Sequence, residues 1–160
     1  MELAKTLKSK FPDVVVETFD NRGDQYAVVK KDGMRNIASS LRNDPEFRFD
    51  MLMDLSAVDY LFWEEKADRY EIIYNLYSYE KKHRLFVKAL VPGSEPEIDS
   101  VASVWPAADW FEREVWDMFG IRFKDHPNLK RILMYDGFEG HPLKKDYPYT
   151  KRQPIIGPMN

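Results

Sequence analysis

The first fifty residues alternate between helical and strand-like spacing of their hydrophobic positions. Residues 2–10 place their apolar side chains on one helical face, and Phe11-Pro12 ends that helix. Residues 14–19 and 26–30 have the composition of strands and are separated by turn-forming residues at 21–24. The chain is therefore predicted to begin with a helix and a β-hairpin.

The middle of the chain predicts a second helix and then three strands. Asp32 is a candidate N-cap for an amphipathic helix that stops before Asn43-Asp44-Pro45. Residues 51–60, 70–79 and 84–91 follow as strands, the last two with clear alternation of apolar and polar positions. The breaks between these strands are short and charged, which favours antiparallel neighbours.

A third helix completes the regular part of the sequence. Pro106 suits a first helical position, the helix continues through Phe119, and Gly120 is a residue type that commonly ends helices. Together these elements predict an α+β domain over residues 1–123, in which helices pack on a mostly antiparallel sheet.

Residues 124–160 predict an extended, irregular arm. Five prolines interrupt this segment, so that neither a helix nor a central strand fits it. The segment nevertheless keeps many large apolar residues, in which disordered segments are poor. Because an apolar arm of this length cannot cover itself, it is expected to lie against the domain or another protein chain. We expect its distal part to bind another chain, which makes it a partner-binding arm.

Charge is distributed unevenly between the arm and the rest of the chain. The net charge is −3, yet residues 124–160 carry seven Lys and Arg against four Asp and Glu, while residues 1–123 carry 17 against 23. A positive arm could dock on its own acidic domain or bind an acidic partner. The acidic balance overall argues against nucleic-acid binding, which requires a basic face.

The absence of cysteine excludes several kinds of chemistry. Without thiolates the chain cannot hold an iron–sulfur cluster or a cysteine zinc site, and it has no thiol nucleophile. No apolar run of 18 residues occurs, so no segment is predicted to span a bilayer. Any electron transfer that the protein supports is therefore expected to use cofactors held by other chains.

Charged residues cluster in the third predicted helix. Asp109, Arg113 and Asp117 are four residues apart and are expected to form a charge ladder on one face. Glu112, Glu114 or Asp117 could instead perform acid–base chemistry in a free-standing enzyme. Carboxylates on a single helix rarely lie on opposite sides of a substrate, so a structural or subunit-docking role is favoured.

The two histidines of the arm are the remaining candidates for chemistry. His126 and His141 have carboxylates nearby in sequence and could bind a metal, but their spacing matches no ligand motif and each precedes a proline. Glycine-rich phosphate loops and serine-nucleophile motifs do not occur. Neither a metal nor a cofactor site is therefore predicted in this chain.

Two stretches have a distinctive pattern of residues and spacing. The first reads Glu-Arg-Glu-x-x-Asp-Met-Phe-Gly-Ile from Glu112 and continues to Arg131-Ile132-Leu133-Met134, and the second runs from Asp136 to Pro148. Together with residues 54–60 they resemble the 30 kDa subunit family of NADH-quinone oxidoreductase, respiratory complex I. Lys144 departs from the family, in which arginine is common at this position. The candidate residues for structural or subunit-contact roles are Glu112, Arg113, Glu114, Asp117, Phe119, Gly120, His126, Pro127, Arg131, Asp136, Phe138, Gly140, His141, Pro142, Lys145, Asp146, Tyr147 and Pro148.

The resemblance implies a non-catalytic scaffold subunit in the peripheral arm of a proton-pumping NADH-quinone oxidoreductase, on the cytoplasmic face of the membrane. Such a subunit packs against the large quinone-site subunit and the small iron–sulfur subunit, and it meets the membrane only through the complex. It binds no cofactor itself, whereas the parent complex uses NADH, FMN, iron–sulfur clusters and quinone. The isolated chain is expected to be inactive. An equivalent subunit of a membrane-bound hydrogenase or another reduced-carrier dehydrogenase is the alternative.

Overall fold

The structure is a computed structural model that describes the backbone of residues 2–154 and the side chains from Leu3 onward. Its helices and strands, in chain order, are α1 (Glu2–Lys10), β1 (Val15–Asn21), β2 (Asp24–Lys30), α2 (Met34–Asn43), β3 (Met51–Asp59), β4 (Tyr70–Ser78), β5 (His83–Val91), β6 (Glu97–Asp99), α3 (Ala108–Phe119) and β7 (Arg122–Lys124). These elements confirm the predicted α+β class, with an extended, irregular arm after the last strand.

Five strands form one mostly antiparallel sheet in the order β1-β2-β5-β4-β3. The pairs joined by short turns, β1–β2, β3–β4 and β4–β5, are antiparallel as predicted. The central pair β2–β5 is parallel, which the sequence did not indicate because these strands are far apart in the chain and no turn connects them. Strands β6 and β7 form a separate parallel pair of three residues each, too short to be recognised from the sequence.

The core lies between one face of this sheet and the helices. Alternate residues of β4 and β5 are buried, as the period of two in a strand requires. They share a single hydrophobic cluster with Ile37 and Leu41 of α2 and with Val115 of α3. Helix α3 therefore packs its apolar side on the sheet, and its other residues are free to contact the chain that follows.

Two predicted helix starts are wrong, by one residue for α2 and by two residues for α3. Asp32 does not cap α2, because residues 31–33 form a turn of 3-10 helix and α2 begins at Met34. Pro106 lies before α3 rather than in its first turn, and its carbonyl accepts the N–H of Asp109 at 3.2 Å. In each case a short hydrogen-bonded turn precedes the helix and delays its start.

The arm lies on the domain along much of its described length. It is bound through hydrogen bonds to α3, to the end of β3 and to Arg69 at the start of β4. Strand β7 crosses the proposed boundary at residue 123, and the division into 1–123 and 124–160 stays a prediction. Residues 155–160, the distal end that was expected to bind another chain, lie outside the described residues.

Candidate functional site

Asp117 is the main contact between α3 and the arm. Its carboxylate is fully buried. Its Oδ2 atom accepts backbone N–H groups from three successive arm residues, Ile132 at 3.1 Å, Leu133 at 2.9 Å and Met134 at 2.9 Å. Its Oδ1 atom pairs with the guanidinium of Arg131. The carboxylate thus binds the arm through three backbone N–H groups and one arginine side chain.

The protonation of Asp117 follows from this arrangement. Burial alone raises the pKa of a carboxyl group, because the charged form loses its water. The hydrogen bonds from Met134, Arg131, Leu133 and Ile132 outweigh that effect and hold the pKa of Asp117 below its usual value. Asp117 is therefore ionised at neutral pH, and its oxygens are occupied by groups of its own chain.

Arg131 extends the contact to the following loop of the arm. Its Nη2 atom donates to the carbonyls of Phe138 at 2.8 Å and Gly140 at 3.0 Å. The guanidinium also lies over the rings of Trp116 and Phe138, 5.7 Å and 5.6 Å from their centroids. One side chain thus connects α3, the start of the arm and the loop at residue 140, as the planar fork of arginine allows.

The end of α3 fits closely against the arm. Gly120 has a φ of +75°, the left-handed conformation in which glycine commonly ends a helix. A Cβ atom at this position would lie 2.7 Å from Cδ2 of His141. The ring of His141 donates from Nδ1 to the carbonyl of Asp117 at 3.0 Å, because a carbonyl can only accept. The N–H of Leu143 donates to the carbonyl of Met118 at 2.9 Å, so the arm satisfies carbonyls at the end of the helix.

Asp59, at the end of β3, is a second buried carboxylate that binds the arm. Arg69 donates to both of its oxygens, at 3.0 Å and 2.8 Å. The backbone N–H of Lys145 reaches Oδ2 at 2.9 Å, and that of Leu61 reaches Oδ1 at 3.0 Å. Arg69 also binds Asp146 of the arm through two bonds of 3.1 Å and 2.8 Å. A single guanidinium thus bridges a carboxylate of the domain and a carboxylate of the arm.

The charges at this second contact stabilise one another. Burial raises the pKa of Asp59, but the bonds from Arg69, Lys145 and Leu61 outweigh it and leave the pKa below its usual value. The pKa of Asp146 is lowered chiefly by Arg69. The pKa of Arg69 is raised in turn by Asp59 and Asp146, so all three groups are charged at neutral pH.

Glu112 forms a third buried contact, within the domain. Its Oε2 atom accepts the hydroxyl of Ser100 at 2.6 Å and its Oε1 atom accepts the N–H of Val101 at 2.7 Å. Burial outweighs these bonds and raises the pKa of Glu112 to about 7. The side chain therefore joins α3 to the segment after β6, and its charge changes near neutral pH.

His126 uses both of its ring nitrogens within the chain. The N–H of Asn128 donates to Nδ1 at 3.0 Å, so the ring proton is on Nε2 and is donated to the carbonyl of Asp109 at 3.0 Å. Glu112 lies 3.9 Å from the same Nε2 atom. His141 is bound separately at the other end of α3. Across residues 2–154, no group of three or more histidine or acidic side chains is placed to hold a metal ion.

The predicted charge ladder of α3 is wrong. Arg113 donates to the carbonyls of Lys130 at 3.2 Å and Arg131 at 3.1 Å rather than to Asp109 or Asp117. The backbone of the arm offers carbonyls to this guanidinium, while Asp117 is saturated by its own arm contacts. Arg113 and Asp117 therefore bind the arm instead of each other.

The other predicted residues divide between the packed part of the arm and its surface. Phe138 stacks on Tyr147 with ring centroids 6.1 Å apart, and a Cβ at Gly140 would lie 2.9 Å from the ring of Tyr147. Phe119 packs partly buried against the core, and Pro142 is half-buried. The exposed members of the predicted set are Glu114, Pro127, Asp136, Gly140, Lys145, Asp146 and Pro148.

Asp59 and Arg69 were not predicted as site residues. Asp59 belongs to the stretch that carries the family resemblance, but its partner Lys145 is 86 residues away and uses a backbone N–H. A backbone donor leaves no side-chain signal in the sequence. The ending of β3 at an acidic residue and the arginine before β4 are the clues that the sequence offered.

The fold is found in other solved proteins. A trypsin-resistant fragment of Nqo5 superimposes with a TM-score of 0.68 at 28% sequence identity, covering 81% of this chain and all of the fragment. A chain in the structure of a membrane-bound sulfane sulfur reductase, an archaeal respiratory membrane complex, gives a TM-score of 0.75 at 24% identity over 93% of this chain and 85% of that one. The class defined by this α+β fold thus includes a chain of a respiratory membrane complex.

The chain belongs to the family of the 30 kDa subunit of respiratory-chain NADH dehydrogenase, whose model matches residues 27–153. A subunit of NADH-quinone oxidoreductase from Trichlorobacter lovleyi is 46% identical over 96% of this chain and 94% of its own length. The same subunit from Citrifermentans bemidjiense is 42% identical with the same coverage. The predicted family is confirmed, and the chain is a subunit of an oxidoreductase complex of this type.

No helix within residues 2–154 has the length and apolar character needed to cross a membrane.

Proposed function

We propose that this chain is a non-catalytic scaffold subunit in the peripheral arm of a proton-pumping NADH-quinone oxidoreductase. In this proposal it packs against the large quinone-site subunit and the small iron–sulfur subunit, on the cytoplasmic face of the membrane. The parent complex supplies NADH, FMN, iron–sulfur clusters and quinone, and this chain holds none of them.

The observation that carries the proposal is that the buried carboxylates are hydrogen-bonded by groups of their own chain. Asp59 and Asp117 are saturated by donors of their own chain, and Glu112 is bound to Ser100 and Val101. A general acid or base must reach a substrate proton within hydrogen-bonding distance. Because these carboxylates are already hydrogen-bonded within the chain, a structural role is favoured for them. The absence of cysteine favours electron transfer through other chains.

Purification from the native membrane tests the proposal. A tagged chain is expected to co-purify with a quinone-site subunit, a small iron–sulfur subunit and an NADH-binding flavoprotein, and that assembly is expected to reduce quinone with NADH. The isolated chain is expected to show no such activity. Turnover by the isolated chain, or recovery of the chain without other subunits, would contradict the proposal.

A related parent complex is the second candidate. The likeness to a chain of the membrane-bound sulfane sulfur reductase structure favours it, since that protein is a respiratory membrane complex of another kind. The same purification separates the two candidates. A flavoprotein that binds NADH among the recovered subunits supports the first, and recovery of subunits with hydrogenase metal-ligand motifs in its place supports the second.

A further inference from the structure

The loop between β3 and β4 carries two large exposed aromatic side chains. Phe62 is 77% exposed and Trp63 is 57% exposed. The loop is nevertheless ordered by its backbone, since the N–H of Trp63 donates to the carbonyl of Tyr60 at 2.8 Å and the N–H of Tyr60 donates to that of Arg69 at 2.7 Å. The two rings are thus presented to solvent from a fixed backbone.

Asp59 holds this loop against the arm. Its carboxylate binds the N–H of Leu61 with one oxygen and the N–H of Lys145 with the other. A depression of 210 Å³ lies at this junction and is lined by Asp59, Tyr60, Phe62, Trp63 and Lys145. Leu143, two residues before Lys145, is 52% exposed. We call the set Phe62, Trp63, Leu143, Lys144 and Lys145 the aromatic–basic surface.

The positive charge of the arm is not neutralised by the domain. Ion pairs with the domain use two cations and two carboxylates of the arm, and a further pair lies within the arm. Four arm cations and one arm carboxylate remain without an opposite charge in contact among residues 2–154. These are Lys130, Lys144, Lys145, Arg152 and Asp136. Lys130, Lys145 and Arg152 are exposed, and Lys144 is half-buried. Lys144 and Lys145 belong to the aromatic–basic surface.

We propose that the aromatic–basic surface docks a neighbouring protein subunit that offers an apolar recess to Phe62 and Trp63 and carboxylates to Lys144 and Lys145. The inference rests on the proposed function and names the surface and the chemistry of the partner. Large aromatic side chains dominate the binding energy of protein interfaces when a pocket takes them out of water. Their fixed backbone keeps the entropy cost of binding low, and the lysines favour an acidic partner.

The charge pattern fits a protein better than a lipid surface. Glu64 and Glu65 directly follow Trp63 and are exposed, and Glu65 contacts the indole nitrogen of Trp63 at 3.5 Å. An anionic membrane would attract the arm lysines but repel these glutamates, because its surface charge has one sign. A protein partner can place carboxylates opposite the lysines and a cation opposite the glutamates.

Two variants of the full-length chain, assembled in its complex, test the inference. Replacing both aromatics (Phe62→Ser with Trp63→Ser) and reversing both charges (Lys144→Glu with Lys145→Glu) are each expected to reduce co-purified subunits at least tenfold. Tyr79→Ser is the matched control for the aromatics, since Tyr79 is also 57% exposed but lies at the opposite end of β4. Lys5→Glu, on the exposed side of α1, is the control for charge. All variants are expected to melt within about 2 °C of the unaltered chain.

Several results would overturn the inference. Recovery of subunits at the unaltered level by both surface variants would do so, as would equal losses in the Tyr79 and Lys5 controls. Co-sedimentation of the chain with anionic phosphatidylserine vesicles, lost on replacing Phe62 and Trp63, would assign the surface to a membrane. Concentration-dependent dimers lost in the same variant would assign it to a second copy. An unaltered chain that recovers no subunits would refute the proposed function itself, whereas normal recovery by both surface variants refutes only this surface.

Discussion

Glu112 is a buried carboxyl group whose charge responds to pH near neutrality. Its pKa is about 7 in the folded protein because burial disfavours the charged form, against an ordinary value of 4.5. Between these two pH values the folded state binds a proton that the unfolded chain has released. Stability therefore falls as the pH rises through this window, by roughly 3 kcal/mol.

Glu112→Gln is expected to remove this pH dependence. The amide oxygen can still accept from Val101 and the amide nitrogen can donate to Ser100, while no charge develops in the core. The free energy of unfolding, measured by denaturant at pH 5, 6, 7 and 8, should decline less in the variant than in the unaltered chain. Glu114→Gln, on the exposed side of the same helix, is the control and should decline in parallel with the unaltered chain. A Glu112→Gln curve that is also parallel would contradict the buried ionisation.

A side chain at Gly120 would be unfavourable for two reasons, backbone strain and a close contact, and comparison with a second glycine distinguishes the two effects. Gly120→Ala places a Cβ atom 2.7 Å from the ring of His141 and also forces alanine into a left-handed conformation. Gly23 has a similar positive φ of +91°, but a Cβ there would meet nothing within 4 Å. Gly23→Ala should therefore cost only the backbone strain, about 1–2 kcal/mol. Gly120→Ala should cost at least about 1 kcal/mol more by thermal unfolding, since a close contact is added. Equal losses would show that the fit to His141 adds nothing.

For single residues, the type of role was easier to predict than the group that each residue contacts. The sequence identified Gly120 as a helix end, and it marked Asp117, Arg131 and His141 as structural or contact residues. It did not indicate that Asp117 binds three backbone N–H groups, because donors of that type are common to every residue except proline. The same reason hid Asp59, whose distant contact is the N–H of Lys145.

The arm is held as an element by carboxylates of the domain, and Leu129 adds an apolar contact with the core. Its Ile132, Leu133 and Met134 meet Asp117 through their backbone. Removing the arm would take away the four groups that donate to the buried carboxylate of Asp117. Asp59 would lose only the N–H of Lys145 and would keep its bonds from Arg69 and Leu61. A buried charge that loses its partners costs about 3–5 kcal/mol. The domain is therefore expected to depend on the arm for part of its stability.

Two truncations test this dependence. A chain ending at Lys124 should melt roughly 10 °C below the full chain, because an uncompensated buried carboxylate lowers stability by several kcal/mol. A chain ending at Pro148 keeps the contacts of Asp117 and Asp59 and is expected to melt within about 2 °C of the full chain. Tyr149, the first residue removed, is 96% exposed. A chain ending at Lys124 that melts normally would show that the domain is independent of the arm.

Elements with strong periodicity were predictable, and their long-range pairings were not. The five longer strands were predicted close to their observed bounds. For β4 and β5 the signal was the alternation of apolar and polar positions, and for the others it was strand-like composition and flanking turn residues. The parallel pairing of β2 with β5 joins strands that are separated in the chain by α2, β3 and β4, and no local pattern encodes it. The arm was predicted to be extended and apolar. Its contacts with α3 were not predicted, because they depend on how the two segments lie together in the folded chain.

For the whole molecule, two titrations with opposite effects on the free energy of unfolding are expected to make stability highest at an intermediate pH. Asp59 and Asp117 have pKa values below their ordinary 3.8 because donors compensate their burial. Their contribution is fully present above that pH and is lost as the pH falls through their lower folded pKa values. Glu112 acts in the opposite sense between pH 4.5 and about 7.

Acid should therefore release the arm before the sheet. Amide hydrogen exchange measured from pH 5 down to pH 2 is expected to show loss of protection at residues 132–134 before strands β4 and β5 lose theirs. The physical reason is that protonating Asp117 removes the charge that these amides bind. The order of protection is read within one sample, so β4 and β5 serve as the internal control. Simultaneous loss at all sites would contradict separate release of the arm.

The bridge made by Asp59 gives the molecule a thermodynamic linkage. Its two oxygens bind the loop at Leu61 and the arm at Lys145, so ordering either segment lowers the entropy cost of ordering the other. A ligand that stabilised the loop would tighten the arm by the same factor, and a ligand of the arm would tighten the loop. The two segments are therefore expected to respond jointly to whatever binds one of them.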